Sequence, residues 1–274
     1  MTDEVAFVQF PHPGWEANPI DSVVPWNRGD HSRKFIRGRG VYSCGGDLRL
    51  GDFSFWGEWE AQSRIIKRFD AADPDMPRNL HDPYWSEPEE GWRQNTDPLV
   101  FGERFLYTNC RQRRNKKLRH LAPGSLILFG SSRHGGFVLD TAFVVGSAEQ
   151  YAPGITQVAA PQLVEQVVLA PLAMGDERGS LLRLYRGRMQ SAAPDGPFCF
   201  VPCKPDESRP SRFPRPVIQL GENWLSSKLS MAAKVTPASS GAISEIWGEV
   251  VRQVEAAGLA LAVQIDEPPH RREH

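Results

Sequence analysis

The sequence lacks any long uninterrupted run of apolar residues. None of its hydrophobic stretches approaches the roughly 20 residues that an α-helix needs to cross a bilayer. The first residues, Met-Thr-Asp-Glu-Val-Ala-Phe, also lack a basic segment followed by an apolar one, the pattern typical of a signal peptide. These two absences predict a cytoplasmic protein that does not enter a membrane.

The chain has no excess of charge of either sign and is poor in cysteine. Its 32 Lys and Arg residues against 33 Asp and Glu residues give a formal net charge of -1, so any attraction to nucleic acid must come from local patches. The 4 cysteines in 274 residues do not resemble a secreted disulfide framework. Cys199 and Cys203 lack the paired two-residue gaps of a zinc ribbon, so we expect no metal and no other cofactor.

Familiar catalytic signatures are missing as well. The sequence contains no Walker loop, no Gly-rich dinucleotide fingerprint, no nucleophile elbow and no His-Glu-x-x-His motif. A Cys–His nucleophilic pair, formed by Cys110 with His12 or His81, stays open, although no local signature supports it. No sequence motif therefore assigns this chain to a known class of enzyme.

Glycine and proline, in contrast, are frequent and scattered, with 24 Gly and 23 Pro. Breakers at short spacing favour many short strands over a helical bundle. Two β-rich runs, 126–130 and 137–146, flank a Gly-ended polar turn and predict a hairpin. Asp140, alone in the second run, is either a satisfied core acid, as we expect, or the edge of the site. The apolar spacing from about Ser240 to Ala257, before Gly258, predicts an amphipathic helix.

Together these patterns predict an α+β protein that is β-rich, with a curved, mostly antiparallel sheet or barrel and a C-terminal helix packed on it. Residues 1–150 are expected to form a β-rich, pocket-forming region. Residues 151–274 are expected to form a C-terminal α+β portion packed with the first region as one unit.

The stretch 53–62, Phe-Ser-Phe-Trp-Gly-Glu-Trp-Glu-Ala-Gln, is unusually rich in both indoles and acids. Interpreted as a strand, it places Ser54, Trp56, Glu58, Glu60 and Gln62 on one face, with the two carboxylates about 6–7 Å apart. That face is too acidic for an ordinary core and too aromatic for an ordinary surface. We therefore expect it to form a pocket wall, covered by the long irregular segment 70–97.

Two basic stretches flank this segment. The first, residues 25–39, mixes Arg33 and Lys34 with Trp26, and the second, residues 110–120, contains Arg111, Arg113 and Lys116. Lys and Arg can hold phosphate oxygens while aromatic rings stack on bases. In the alternative interpretation these are solvated loops whose Arg stems cover apolar surface, or whose charge is balanced by the acidic segment 87–90. The two acids, Glu58 and Glu60, would then form ordinary salt bridges with Arg33, Arg104 or Arg111, or bind a divalent ion.

The sequence thus favours binding of a nucleotide or a modified nucleic-acid base. The expected ligand-binding residues include stacking indoles, polar side chains that contact base edges and phosphate-binding cations: Trp26, Arg33, Lys34, Trp56, Trp59, Gln62, Asn109, Arg111, Arg113 and Lys116. The alternative is a hydrolase or glycosidase acting on a nucleotide-like substrate, with Glu58 and Glu60 as acid and base. An interaction module without a small ligand is a third possibility.

The hairpin carries one resemblance to a known superfamily. Residues 121–129, Leu-Ala-Pro-Gly-Ser-Leu-Ile-Leu-Phe, and the strand that ends near Gly146 resemble the central hairpin of PUA-like barrels, which include EVE, YTH and ASCH domains. The resemblance implies a barrel that binds RNA or modified bases. Its turn has Gly124-Ser125 where those domains have Gly-Asp, and it assigns no pocket residue to this chain.

Overall fold

The computed structural model describes residues 2–16, 22–26, 31–70, 73–87, 94–133, 135–206, 211–226 and 232–271. The strands are β1 (Ala6–Pro11), β2 (Val23–Val24), β3 (Lys34–Cys44), β4 (Asp47–Gly57), β5 (Ser63–Arg68), β6 (Asn79–Pro83), β7 (Leu106–Tyr107), β8 (Leu126–Arg133), β9 (Gly136–Tyr151), β10 (Leu182–Gly187), β11 (Val201–Pro205), β12 (Val217–Ile218), β13 (Lys234–Pro237) and β14 (Ala260–Ile265). The helices are α1 (Gln162–Val164), α2 (Ala170–Met174), joined to α1 by a π-helical turn (Glu165–Leu169), and α3 (Ser240–Ala256).

Two mixed sheets make up the described fold. The first has the order β13-β1-β8-β9-β10-β7, with β12 also paired to β9. The second has the order β14-β11-β4-β3-β6-β5-β2, and β14 pairs with β3 as well, so that β3, β4, β11 and β14 close a ring. Most pairings are antiparallel, while β1–β8 and β3–β6 are parallel. This confirms a β-rich fold with a curved, partly closed sheet.

Closure of the ring depends on Gly40. Its φ is 155°, and a Cβ atom at this position would lie 2.1 Å from the backbone oxygen of Gln264 on β14. Only glycine lets the two backbones approach this closely without strain. The β3–β4 hairpin itself turns through Gly45 and Gly46, both with positive φ, as tight hairpin turns require.

The predicted hairpin and C-terminal helix are both confirmed. Strands β8 and β9 pair antiparallel from Leu126 opposite Val144 to Arg133 opposite Gly136. Helix α3 begins at a cap in which the Ser239 hydroxyl accepts a hydrogen bond from the Ala242 N–H. Its apolar stripe is buried: Ile243, Ile246, Val250 and Val254. The helix thus packs on the sheets as expected.

Strands from the two halves of the chain are interleaved. Strand β13 pairs with β1 in the first sheet, and β11 and β14 pair with β4 and β3 in the second. Within the described residues, no helix is both long and apolar enough to cross a membrane.

Candidate functional site

The predicted acidic strand face is replaced by a different arrangement. Strand β4 ends at Gly57, so Glu58 and Glu60 lie in the irregular segment that follows it. Both side chains are buried, and one carboxylate oxygen of each lies within 4.8 Å of the other and of a ring nitrogen of His31. The carboxylates are therefore closer together than the 6–7 Å predicted for a strand, because the chain leaves the extended conformation between them.

Glu58 is the centre of a buried polar cluster. Its Oε2 atom lies 2.6 Å from the Arg33 Nη1 atom and 3.4 Å from the His12 Nδ1 atom. Its Oε1 atom lies 3.3 Å from His31 Nδ1 and accepts a hydrogen bond of 3.2 Å from the Asp97 N–H. Burial alone would raise the pKa of Glu58, but Arg33 and His31 outweigh it and hold that pKa well below its usual range. Glu58 is therefore a carboxylate anion with four partners.

His31 connects Glu58 to Glu60. Its Nδ1 atom lies 3.2 Å from Glu60 Oε1, and its side chain is 36% exposed, in contrast to the fully buried Glu60. Burial opposes the imidazolium form, but Glu58 and Glu60 raise the pKa of His31 to about 10. The described chain thus holds a cation between two buried carboxylates at a point that solvent reaches.

His12 connects Glu58 to a thiol. The Cys110 Sγ atom lies 3.4 Å from His12 Nε2, while His12 Nδ1 faces Glu58. Burial, reinforced by Arg33, lowers the pKa of His12 well below its ordinary value. Burial, reinforced by Asp97, raises the pKa of the Cys110 thiol. The resting imidazole of His12 and thiol of Cys110 are therefore both neutral, and the charged Glu58 carboxylate lies on the opposite side of the imidazole from the thiol.

The loop that carries Cys110 is fixed by Asp97. The Asp97 carboxylate accepts backbone hydrogen bonds of 2.8 Å from Thr108, 3.0 Å from Asn109 and 2.6 Å from Cys110. Burial raises the pKa of Asp97 to about 7 in spite of these three bonds. The neighbouring Thr96 hydroxyl accepts the Glu60 N–H at 3.0 Å. One short segment thus positions both the thiol and the acids.

An ion-pair chain extends from Glu58 into the first sheet. Arg33 Nε lies 3.0 Å from Asp140 Oδ2, and Arg215 Nη1 lies 3.4 Å from Asp140 Oδ1. All of these side chains are at most 5% exposed. Asp140, on β9, is therefore a buried acid with two partners, as the sequence predicted, and it ties the cluster to the sheet core.

The three predicted stacking indoles are packed inside the protein. Trp59 is fully buried and donates its Nε1–H to the Gln62 carbonyl at 2.7 Å, while Trp56 donates to the Phe213 carbonyl at 2.9 Å. Trp26 is 8% exposed. In this conformation the described residues cover the rings, so stacking on a base would require rearrangement.

Two of the predicted polar contacts also serve the fold. Lys34 is fully buried, and its Nζ donates to the carbonyl groups of Trp59 at 2.7 Å and Ala61 at 3.4 Å. Burial lowers the pKa of Lys34 to about 8. The Gln62 amide donates to the Ser86 hydroxyl at 2.6 Å. Arg33, as described above, forms ion pairs with Glu58 and Asp140.

The second basic stretch contributes one residue close to the thiol. Arg111 has a left-handed backbone with φ of 62°, and its guanidinium lies 5.9 Å from the Phe10 ring. The Arg111 Nε atom is buried and has no hydrogen-bond partner among the described residues. Arg113 and Lys116 are exposed, and Arg113 donates to the Asp176 carbonyl at 3.0 Å. Asn109 accepts from the Asn95 amide at 2.9 Å.

Sequence reasoning named Cys110 with His12 only as one of two open Cys–His pairs, and it missed His31 and Asp97 as site residues. His31 and Asp97 carried no signal beyond a position in an irregular segment. Glu16, four residues after His12, accepts backbone N–H bonds from Arg78 and Asn79 and lies outside the cluster. A search for polar residues at the ends of predicted strands would have selected His12, directly after β1.

These observations define the candidate site as His12, His31, Arg33, Glu58, Glu60, Asp97 and Cys110. The resemblance of residues 121–146 to PUA-like barrels remains a prediction. Comparison of the chain with models of protein families, with curated proteins and with solved structures found no match in any of the three.

Proposed function

We propose that this chain is a thiol-dependent hydrolase in which Cys110 is the nucleophile, His12 the general base and Glu58 the group that orients the imidazole. The supporting observation is the continuous series of contacts, with 3.4 Å between Sγ and Nε2 and 3.4 Å between Nδ1 and Oε2. A nucleophile within reach of a base that a third group orients is the geometric signature of nucleophilic catalysis.

The resting groups are a neutral thiol and a neutral imidazole, so the proposed mechanism is general-base catalysis and does not start from a thiolate. As Sγ bonds to the carbonyl carbon of an ester or amide, the thiol proton passes to His12 Nε2. That proton then goes to the leaving alcohol or amine as its bond to the acyl carbon breaks, and water hydrolyses the thioester and restores the thiol. The charged Glu58 carboxylate stabilises the imidazolium ion during both transfers.

The proposed substrate carries an anionic group, as a nucleotide does. Arg111 follows the nucleophile directly, and its unpartnered buried Nε atom is a donor that an anion would satisfy. Arginine binds phosphate, as it does carboxylate, in two-point geometry. This supports a nucleotide-like substrate, as the sequence first suggested.

The environments of Glu58 and Glu60 do not suit the acid and base roles that two carboxylates have in a glycosidase. Glu58 is an anion held by Arg33 and His12, which suits positioning rather than proton transfer. Glu60 faces His31 and is absent from the series of contacts that leads to Cys110. The nucleophile is therefore assigned to the thiol and not to a carboxylate.

The test uses p-nitrophenyl acetate with the full chain in a Cys44→Ser background, because Cys44 is an exposed thiol. We expect release of p-nitrophenol and a transient acetyl group on Cys110 in the mass spectrum. Neither should appear in Cys110→Ala or His12→Asn. Acetylation of no cysteine, or hydrolysis that survives Cys110→Ala, would refute the assignment.

A second candidate is recognition of a nucleotide or base without turnover. It is favoured by the exposed cations Arg113 and Lys116, which lie in the same segment as Arg111. A pure binding protein would retain its affinity for a nucleotide in the Cys110→Ala variant and would not hydrolyse the ester in any form. The acetylation experiment therefore separates the two candidates.

A further inference from the structure

A second chemical feature of the cluster involves a different oxygen of Glu58. Its Oε1 atom, the Glu60 Oε1 atom and the His31 Nδ1 atom converge on one point, with His31 Nδ1 3.3 Å from the first and 3.2 Å from the second. One ligand atom from each of the three residues lies within 4.8 Å of one from each of the others. One imidazole and two carboxylates thus present single ligand atoms to a shared space.

These separations match the coordination geometry of zinc. Zinc binds His nitrogen and carboxylate oxygen at about 2.0–2.2 Å in tetrahedral sites. A tetrahedral angle at that bond length places neighbouring ligand atoms about 3.3 Å apart, close to both nitrogen–oxygen distances here. An imidazole ligand also favours zinc over the hard cations magnesium and calcium.

Glu60 also has an oxygen, Oε2, that is available to an ion beside the Oε1 atom that faces His31. Its side chain is fully buried, yet its Oε2 atom has no hydrogen-bond partner among the described residues. Buried carboxylate oxygens are normally paired, because an unpaired one loses its hydration without compensation. The buried ammonium group of Lys34 is directed to two backbone carbonyls. The exposed edge of His31 provides a route from solvent.

We propose that His31, Glu58 and Glu60 bind a zinc ion. Three protein ligands leave the fourth tetrahedral position open to water or to a substrate atom, as in catalytic rather than structural zinc sites. The inference does not rest on the proposed hydrolase, because the Glu58 oxygen that faces the ion is Oε1, while His12 and Arg33 contact Oε2.

The first test is calorimetric titration of the chelator-treated full chain with zinc chloride, with magnesium chloride as the comparison. We expect one zinc ion per chain and no comparable binding of magnesium. His31→Gln and Glu60→Gln should each weaken zinc binding by more than the roughly 10- to 100-fold that loss of a residue supporting a ligand costs. His120→Gln is the matched control, since His120 forms a 3.4 Å pair with Asp3 away from these ligands.

Two further measurements distinguish loss of the zinc ligands from misfolding of a variant, and distinguish this site from zinc bound elsewhere. Anomalous diffraction from zinc-soaked crystals should place the ion within about 2.0–2.2 Å of the three named atoms. Cys110→Ser should bind zinc as tightly as the unmodified chain. Failure to bind zinc would overturn the proposal and would mean that protonated His31 is the cation between Glu58 and Glu60. An anomalous peak elsewhere, or loss of binding in Cys110→Ser, would equally overturn the proposal.

Discussion

The His12 Nε2 atom and the Cys110 Sγ atom lie 3.4 Å apart, although the two residues are 98 positions apart in the chain. His12 directly follows β1, and its N–H donates to the Gly130 carbonyl on β8 at 2.6 Å. Cys110 is held by the Asp97 carboxylate. The contact therefore depends on rigid backbone anchors on both sides, which is how a scaffold pre-organises reactive groups.

The thiol should be the group on which turnover depends. We expect Cys110→Ser to lower the rate of p-nitrophenyl acetate hydrolysis at least about 1,000-fold, because members of a nucleophilic triad act as a unit. Cys44→Ser, at an exposed thiol on β3, should leave the rate unchanged. Steady-state kinetics and thermal melting of all three proteins separate loss of chemistry from loss of folding. Equal rates in the two variants would contradict the prediction.

Arg111 should recognise the anionic part of a substrate. We expect the unmodified chain to bind AMP more tightly than adenosine, and Arg111→Asn to abolish most of that difference. Asparagine is chosen because it tolerates the left-handed backbone at this position. Arg113→Gln, at an exposed cation, is the control and should have a smaller effect.

The comparison is made by calorimetry at two salt concentrations. The preference for AMP should weaken at high salt if it is electrostatic. A preference for AMP that survives in Arg111→Asn would remove this residue from the site.

Asp140 should be essential for stability, because two buried arginines share its carboxylate. Asp140→Asn leaves Arg215 without its buried carboxylate partner and Arg33 with Glu58 alone, and it should lower the free energy of unfolding by about 3–5 kcal/mol. Asp52→Asn is the control: Asp52 pairs with Arg39 at the surface, and such pairs contribute about 0–1 kcal/mol. Urea denaturation measures both. Similar losses in the two variants would show that the buried chain is not a stabilising unit.

His81 should make the fold sensitive to acid. Burial lowers the pKa of His81 from 6.5 to about 3, and its Nδ1 atom lies 3.0 Å from the Ser63 hydroxyl. Between these two values the unfolded chain binds a proton that the folded chain does not. The free energy of unfolding therefore falls as the pH drops below 6.5, by about 1.4 kcal/mol per pH unit for this group.

The measurement is the slope of unfolding free energy against pH between about 6 and 5, a range inside that window. His81→Asn should reduce the slope by the contribution of one proton. Ser63→Ala should keep the slope, since it removes the hydrogen-bond partner but leaves the imidazole buried. An unchanged slope in His81→Asn would assign the acid sensitivity to other groups.

Local patterns were sufficient for several elements of the fold. The β8–β9 hairpin was predictable because apolar runs flank a Gly-ended turn, and α3 because its apolar spacing follows the helical period up to Gly258. The prediction that a strand continues through Glu58 and Glu60 was wrong, since β4 ends at Gly57. Alternation of residue types does not reveal where pairing with a neighbouring strand stops.

The candidate site was only partly predictable for the same reason. Glu58 and Glu60 were selected because two acids beside two indoles are unusual, but their partners His12, His31 and Cys110 come from distant segments. Basic residues such as Arg33 and Lys34 were assigned to phosphates. Burial instead directs them to internal acids and carbonyls, because an unpaired buried charge is costly.

The sequence by itself determined the β-rich class of the fold, the central hairpin, the C-terminal helix and the acids at the centre of the site. These depend on periodicity and composition within short windows, where the physical causes are local. Only the tertiary structure decided that Glu58 faces His12 through one oxygen and His31 through the other, and that His12 in turn contacts the Cys110 thiol. That arrangement follows from strand pairing and from the requirement that buried charges find partners, and both are properties of the assembled sheets.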